Sequence, residues 1–310
     1  MSFDYNYLKL FLILLIDLIA IALNLFIIKS VIMNIKMRNF ENILIFSIAL
    51  ADIFIDSVTI PLFLISLKIN CNRLLFSIES IAHFSFFNIS FLSIILVSAN
   101  RIKKIKFPLF KIKYEKIINY LLILLIWIIP LISWSISITI SNYDEYCLNE
   151  QMYLIFKFSF VFISDLFAFI IPTLIYLIFQ FIIFYSLKKQ EKIKSNEILL
   201  IPKLVVINSF QGPPIETNLT KKFIAIRNKR AFRILIITTL GHCLLWLPWL
   251  ISWPIQAYSP SLSTLEYEAT LWILYLNTVL NPIILVASNR EFRLLLKLFL
   301  IKILKFFKLY

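Results

Sequence analysis

Glycine is almost absent from this chain: only Gly212 and Gly241 occur among 310 residues. A phosphate-binding loop needs several glycines close together, so the sequence excludes that kind of nucleotide site. Histidine (2) and cysteine (3) are also scarce, and they lie far apart, with none of the spacings typical of a metal centre. No set of nucleophile, base and orienting group stands out, and we therefore do not expect an enzyme.

Acidic residues are few as well, 17 against 31 Lys and Arg, which gives a net charge of +14. Nucleic-acid binding is one explanation, but the distribution favours another. The basic residues concentrate in alternate segments between the apolar runs, at 29–38, 101–116, 188–233 and 290–308. The other side keeps only Lys9, Lys68, Arg73 and Lys157. This asymmetry predicts an extracellular N-terminus and a cytoplasmic C-terminus, with no role for nucleic acid.

Apolar residues are abundant: the chain is 61% hydrophobic with a mean hydropathy of +0.90. Seven apolar runs reach the roughly 20 residues that a helix needs to cross a bilayer. They lie near 8–29, 42–67, 75–100, 118–140, 155–187, 231–257 and 267–287. Backbone groups must be paired within the lipid, and the runs show no period-two alternation, so helices are expected. The sequence predicts an all-α membrane protein, with a seven-transmembrane helix bundle at 1–288.

Two cytoplasmic segments complete the predicted organisation. The segment 188–230 contains Gly212-Pro213-Pro214 and is predicted to form a flexible third cytoplasmic loop. The tail 289–310 alternates basic residues with Leu, Phe and Ile. That pattern predicts an amphipathic helix on the anionic inner leaflet of the bilayer.

The last run contains two amides, Asn277 and Asn281, one helical turn apart, and then Pro282, which bends a helix. Amides in lipid are costly unless they face partners, so they mark a polar interior. This stretch resembles the seventh helix of rhodopsin-like G-protein-coupled receptors, whose pattern is Asn-Pro-x-x-Tyr followed by Phe-Arg. Here Leu285 replaces the tyrosine. The resemblance implies a plasma-membrane receptor that binds an extracellular ligand and activates a heterotrimeric G protein.

Two further motifs strengthen the resemblance. Asn100-Arg101 resembles the Asp/Glu-Arg-Tyr motif, and Trp246 and Pro248 resemble the Cys-Trp-x-Pro motif of the sixth helix. The resemblance implies that Arg101 meets the G protein, and that Trp246 and Pro248 form a hinge for outward movement of the sixth helix. The plain alternative for Arg101 is one more cytoplasmic positive charge.

Three departures from the family pattern affect the switch. Asn100 replaces the acid that holds the arginine in the resting state, and this substitution predicts a looser resting state and raised basal signalling. Gln180 and Leu285 replace two tyrosines that support the active state. Their loss predicts the opposite effect, and the direction of the balance stays open.

Several polar residues occupy inward positions of the bundle: Asn24, Asp52, Ser90, Asn277 and Asn281. The resemblance implies that they surround a water network and an allosteric sodium ion, with Asp52 and Ser90 as its ligands. No other cofactor is expected. The alternative is that Asp52 is a buried, hydrogen-bonded strut. Asp56, one turn further out, has no familiar counterpart.

The resemblance also implies a ligand pocket near the outer face. His83 stands where amine receptors carry an aspartate. The other pocket candidates are Glu79, Ser164, Asp165, Trp249, Trp272 and Tyr275. Carboxylates and aromatic faces suit a cation, so a small amine-like ligand is expected. A peptide is the alternative ligand, which the acidic outer loop favours. The aromatic residues could also serve only as interfacial belt residues.

Two open points remain in the sequence. Cys71 and Cys147 fall on the oxidising side, where a disulfide would tie the second outer loop to the third helix.

A cation transporter or channel is the competing class of protein, with Asp17, Asp52, Asp56 and Asp165 as a path. Transporters usually contain an internal repeat, and none is evident here.

Overall fold

A computed structural model of the chain describes residues 5–66, 72–107, 113–140, 143–148, 151–156, 163–164, 166–205, 241, 244–255, 264–288 and 290–307. Most of these residues are helical. The helices are α1 (Tyr5–Met33), α2 (Phe40–Phe54), α3 (Ile60–Ser66), α4 (Arg73–Lys106), α5 (Glu115–Ile140), α6 (Ile171–Val205), α7 (Leu244–Ile255), α8 (Thr264–Tyr275), α9 (Asn277–Ser288) and α10 (Arg290–Phe307).

Within the described residues, six helical segments are long and apolar enough to cross a membrane. They are Phe11–Met33, Phe40–Ile65, Leu74–Lys106, Glu115–Thr139, Leu166–Lys189 and Ala269–Ala287, and the shorter α7 is also apolar. Large apolar side chains cover their outer faces, as expected for helices in contact with lipid chains. The predicted helical membrane fold agrees with this arrangement.

Helix α4 lies at the centre of the bundle and packs against α2, α5 and α6, while α1 packs against α2 and α9. A small polar group fixes the first of these contacts. Ser47 Oγ on α2 lies 3.2 Å from Ser93 Oγ on α4, and Trp127 Nε1 on α5 donates to Ser47 Oγ at 2.9 Å. Three helices are thereby held together inside an otherwise apolar layer.

Two helices begin at asparagine caps. The side chain of Asn39 accepts a hydrogen bond from the Asn42 main-chain N–H, and Asn72 does the same for Leu75, both at 3.0 Å. Each cap satisfies a donor that the first turn of a helix leaves unpaired. The cap at Asn39 also fixes the start of α2, which positions Glu41 in its first turn.

Two wider, π-helical turns interrupt the α-helical spans. One covers Ile55–Thr59 and joins α2 to α3, and the other covers Leu166–Ile170 and leads into α6. Asp56 lies in the first of them and is 1% exposed. Such turns admit an extra residue and are frequent at functional sites.

A short antiparallel hairpin adds strand structure to the bundle. Strand β1 (Tyr143–Leu148) pairs with β2 (Gln151–Phe156), with Leu148 opposite Gln151 at the turn. The predicted fifth span, near 155–187, is therefore wrong at its start, because Ile155 and Phe156 belong to β2. A short apolar run rich in aromatic residues does not distinguish strand from helix.

The predicted flexible loop at 188–230 is also wrong in its first part, because α6 continues to Val205. The residues that follow Lys188 are rich in Lys, Gln and Glu, which are good helix formers. They carry the helix beyond the apolar stretch. Residues 206–240 lie outside the described part of the chain.

Helix α10 follows the last span and presents the exposed side chains of Leu294, Leu298 and Phe299. Phe292, at 0% exposure, packs in a cluster with Ile27 of α1. The ring of Phe299 also lies 6.0 Å from that of Phe26. The helix is thus attached to the bundle through Phe292 and Phe299, and its other apolar side chains stay exposed. Its place on the inner leaflet stays a prediction.

Candidate functional site: a polar core between an aromatic cluster and a cavity beside Arg101

Asp52 is fully buried at the middle of the α2–α3 span. Ser90 Oγ of α4 donates to Asp52 Oδ1 at 2.9 Å, and Asn281 Nδ2 of α9 donates to Asp52 Oδ2 at 3.0 Å. Each oxygen of the acid is therefore bonded to a different helix. The structure brings these three predicted residues into direct contact.

Asn24 reaches the same region from α1. Its Nδ2 donates to the carbonyl oxygens of Ala20, at 3.1 Å, and Thr278, at 3.0 Å. Its Oδ1 is buried and has no hydrogen-bond partner among the described residues. The fifth predicted residue, Asn277, is 3% exposed and contributes to the wall of the cavity described below.

A partly open cavity lies between α2, α4, α6 and α9, and its space, counted together with the solvent at its mouth, is about 650 Å³. Its wall includes Arg101, Gln180, Asn277, Asn281 and Leu285. Gln180 Nε2 donates to the hydroxyl of Ser98 at 3.1 Å, so α6 is bonded to α4 there. Arg101 and Asn281, whose amide donates to Asp52, thus line the same cavity.

Arg101 has a carboxylate partner that the sequence analysis missed. Its Nε donates to Glu41 Oε1 at 3.1 Å, and Lys104 Nζ donates to Glu41 Oε2 at 2.7 Å. Asn100 replaces the acid of the motif, as the sequence shows, but Glu41 supplies a carboxylate to Arg101 from another helix. The predicted rise in basal signalling stays a prediction. Glu41 lies 60 residues earlier in the chain, so motif spacing gave no signal for the pair.

The predicted hinge residues lie where the bundle is densely packed. Trp246 is 2% exposed, and its ring centroid lies 5.7 Å from that of Phe87 and 5.2 Å from that of Phe91. Pro248 follows within α7, and Pro282 lies inside α9. Both prolines remove a main-chain hydrogen bond, so both helices bend more easily at these points.

In the first half of α4, at the opposite end from Arg101, His83 lies between two polar side chains. Its Nδ1 is 3.1 Å from the hydroxyl of Tyr275 and 3.8 Å from Glu79 Oε1. The ring also packs against that of Trp249, at 5.7 Å between centroids, and Trp272 packs on Tyr275 at 5.4 Å. Five of the predicted pocket residues are thus in one connected group.

The other predicted residues are Ser164 and Asp165 of the pocket and the two cysteines. Ser164 is half-buried before the π-helical turn of α6. Asp165 and Cys71 lie outside the described residues, and Cys147 belongs to β1. The disulfide stays a prediction.

Further aromatic residues pack around the predicted pocket residues, and the sequence analysis did not single them out. Trp134 of α5 stacks on Phe84 at 4.3 Å between centroids. Phe169, in the second π-helical turn, lies 5.0 Å from Trp249. In a chain with 30 phenylalanines, no local signal distinguishes those that face the interior from those that face lipid.

A bundle of apolar helices around a buried polar core, with an arginine near one end of a central helix, is typical of a multi-pass membrane protein. The family model of the 7 transmembrane receptor (rhodopsin family) matches residues 23–285, and the chain belongs to that family. The family prediction and the seven-helix architecture are thereby confirmed. Family membership also makes the chain a receptor rather than an enzyme.

Individual relatives are similar at low identity. The octopamine receptor beta-2R of Chilo suppressalis is 26% identical over 90% of this chain and 76% of the relative. The octopamine receptor beta-1R of Drosophila melanogaster is 25% identical over 93% of this chain, which spans 60% of that relative. Trace amine-associated receptor 8b of Rattus norvegicus is 28% identical over 93% of this chain and 84% of the relative. The amine-receptor-like features predicted from the sequence agree with these names.

Proposed function

We propose that this protein is a plasma-membrane receptor that binds an amine from outside and activates a heterotrimeric G protein inside. The observation that carries the proposal is the cytoplasmic cavity, whose wall includes both Arg101 and Asn281. A protein partner that enters this cavity meets the arginine directly. The same partner senses the polar core, because Asn281 also donates to Asp52.

A chain of ring contacts connects the outer pocket to the hinge. The rings of His83 and Phe87 lie 4.9 Å apart, and Phe87 lies 5.7 Å from Trp246. A ligand that displaces His83 therefore shifts the side chain that supports Trp246. Because Pro248 weakens the helix beside this tryptophan, a small change there becomes a swing of the cytoplasmic end.

The charge for an ammonium group is supplied by Glu79. It lies one helical turn outward from His83 on α4, and both side chains are buried. A ligand cation in a low-dielectric pocket needs a paired anion. Glu79 offers that anion, and the aromatic faces of Trp249, Trp272 and Tyr275 offer cation–π contacts. The names of the relatives, octopamine and trace amine receptors, support the same ligand class.

Sodium fits the polar core as an allosteric ligand. Hard cations prefer oxygen ligands, and Asp52 and Ser90 present three side-chain oxygens there. A further oxygen on the neighbouring helix α1, the buried Oδ1 of Asn24, lacks a partner among the described residues. The ion would neutralise the Asp52 carboxylate and stabilise the contacts among α2, α4 and α9.

The experiment is guanine-nucleotide exchange on a panel of G proteins, in membranes that contain the full chain, with octopamine and phenylethylamine as probes. We expect amine-stimulated exchange that Arg101→Ala abolishes. Lys103→Ala is the matched control, because Lys103 also lies at the end of α4 but pairs with Glu115. Exchange that persists in Arg101→Ala would contradict the proposal.

The ligand assignment is tested with Glu79→Gln, which keeps the shape and removes the charge. Loss of one partner of a buried charge pair costs about 2 kcal/mol or more, so the amine concentration for half-maximal exchange should rise at least about tenfold. An unchanged amine response in this variant would exclude Glu79 as the counter-ion. A response to peptides alone would move the ligand class to peptides.

A further inference from the structure

A single carboxylate connects α2 to two cations of α4. Both oxygens of Glu41 are used: Oε1 accepts from Arg101 Nε at 3.1 Å, and Oε2 accepts from Lys104 Nζ at 2.7 Å. The Arg101 side chain is 28% exposed and that of Glu41 is 23% exposed, whereas Lys104 is 57% exposed. The contact between Arg101 and Glu41 is therefore better shielded from solvent than that between Lys104 and Glu41. Arg101 is also the cation that lines the cavity.

Local structure keeps Glu41 in place. It lies in the first turn of α2, behind the cap that Asn39 forms. A negative charge there is favoured by the helix dipole, and Lys104 holds the second oxygen. The acid is therefore positioned before it contacts Arg101.

No other carboxylate among the described residues lies within ion-pair distance of Arg101. The residue before it, Asn100, is 9% exposed, and its Nδ2 has no hydrogen-bond partner in the described part of the chain. Its neutral amide cannot replace a charge-assisted bond. The one acid that holds this arginine thus comes from another helix.

We propose that Glu41 is the restraint that keeps Arg101 in its resting position, a role the family motif assigns to the residue at 100. The proposal rests on the proposed function. An acid on the same helix as the arginine moves with it, whereas Glu41 is attached to α2. The ion pair therefore breaks when the cytoplasmic ends of α2 and α4 move apart, or when a partner in the cavity takes over the guanidinium donors.

The experiment compares basal exchange, without ligand, in membranes with equal amounts of each full-length variant. Glu41→Gln should raise basal exchange about five-fold, which is the response expected when a partly exposed ion pair is removed from one state of a two-state equilibrium. Glu115→Gln is the matched control: it removes the other cytoplasmic bridge to α4, with Lys103, and should leave basal exchange unchanged. Asn100→Asp, added to Glu41→Gln, returns an acid beside Arg101 and should restore the low basal rate.

Two results would overturn the proposal in a receptor that responds to ligand. One is basal exchange in Glu41→Gln equal to that in Glu115→Gln, and the other is no rescue by Asn100→Asp. Absence of exchange in every variant, with every G protein and amine, would instead refute the proposed function. The ion pair between Glu41 and Arg101 is then tested by the thermal midpoints of purified Glu41→Gln, Arg101→Gln and the double variant. Non-additive shifts would support the restraint of Arg101 by Glu41, and additive shifts would overturn it.

Discussion

Removal of the Ser90 hydroxyl tests how much the polar core contributes to stability. Ser90 and Ser85 lie on the same helix, α4, and both are 0% exposed. Ser90 Oγ donates to the Asp52 carboxyl at 2.9 Å, whereas Ser85 Oγ donates to the main-chain carbonyl of Pro130 at 3.4 Å. Alanine at either position removes one oxygen atom and creates the same small space. The two variants therefore differ mainly in which acceptor loses its hydrogen bond, the Asp52 carboxyl or the Pro130 carbonyl.

The expected magnitudes follow from those acceptors. A hydrogen bond to a charged group contributes about 1.5–3 kcal/mol, and its loss leaves Asp52 Oδ1 buried without that donor. A neutral bond between membrane helices averages about 0.6 kcal/mol, and the 3.4 Å bond of Ser85 is long. Ser90→Ala should therefore destabilise the folded receptor by about 1 kcal/mol more than Ser85→Ala.

The assay is thermal unfolding of the purified chain in detergent, with potassium as the only salt cation so that sodium adds no stability. The midpoint should fall clearly further for Ser90→Ala than for Ser85→Ala. When both substitutions are made in an Asp52→Asn background, the two midpoints should fall by nearly the same amount. Equal midpoints for the two serine variants would refute the reasoning, because Asp52 would then contribute no more than a neutral acceptor.

Replacement of potassium by sodium should raise the thermal midpoint of the wild-type chain but not that of Asp52→Asn, since the ion binds only the folded core; an equal rise in both would argue against this site. Trp127→Phe keeps the aromatic ring but loses the 2.9 Å bond to Ser47, and should cost about 0.6 kcal/mol in the same assay; an unchanged midpoint would contradict this. A peptide of residues 290–307 should become helical on anionic vesicles and lose helicity at high salt, as measured by circular dichroism; salt-independent helicity would exclude an electrostatic contribution.

The polar core could be predicted because the sequence contains the necessary signals. Amides and a carboxylate inside apolar runs must face partners, and the family motifs indicate which run each belongs to. The contacts of Asp52 with Ser90 and Asn281 follow from those constraints. The spacing of charged segments also predicts which loops lie on the same side of the membrane, and this stays a prediction.

The features that the sequence analysis missed depend on contacts between distant segments. Glu41 resembles any charged residue at the start of a helix, and only the packing of α2 against α4 brings it to Arg101. The hairpin of β1 and β2 was missed for the same reason, because each strand is stabilised by pairing with the other and not by local periodicity. The extension of α6 to Val205 was missed because a polar segment was equated with a loop, although its residues favour a helix.

The π-helical turn at Ile55–Thr59 changes the direction, around the helix axis, in which each later side chain of its span points. Successive residues of an α-helix point about 100° apart, so one inserted residue rotates every later side chain by that angle. Phe63, whose ring packs against Trp272 at 5.8 Å, takes the direction that Leu62 would have in an uninterrupted helix. A substitution transferred by counting outward from Asp52, from a receptor whose span lacks this turn, would then fall on the neighbouring face of the helix. Beyond Thr59, equivalent positions should be aligned from the outer end of the span, with Phe63 as the reference residue.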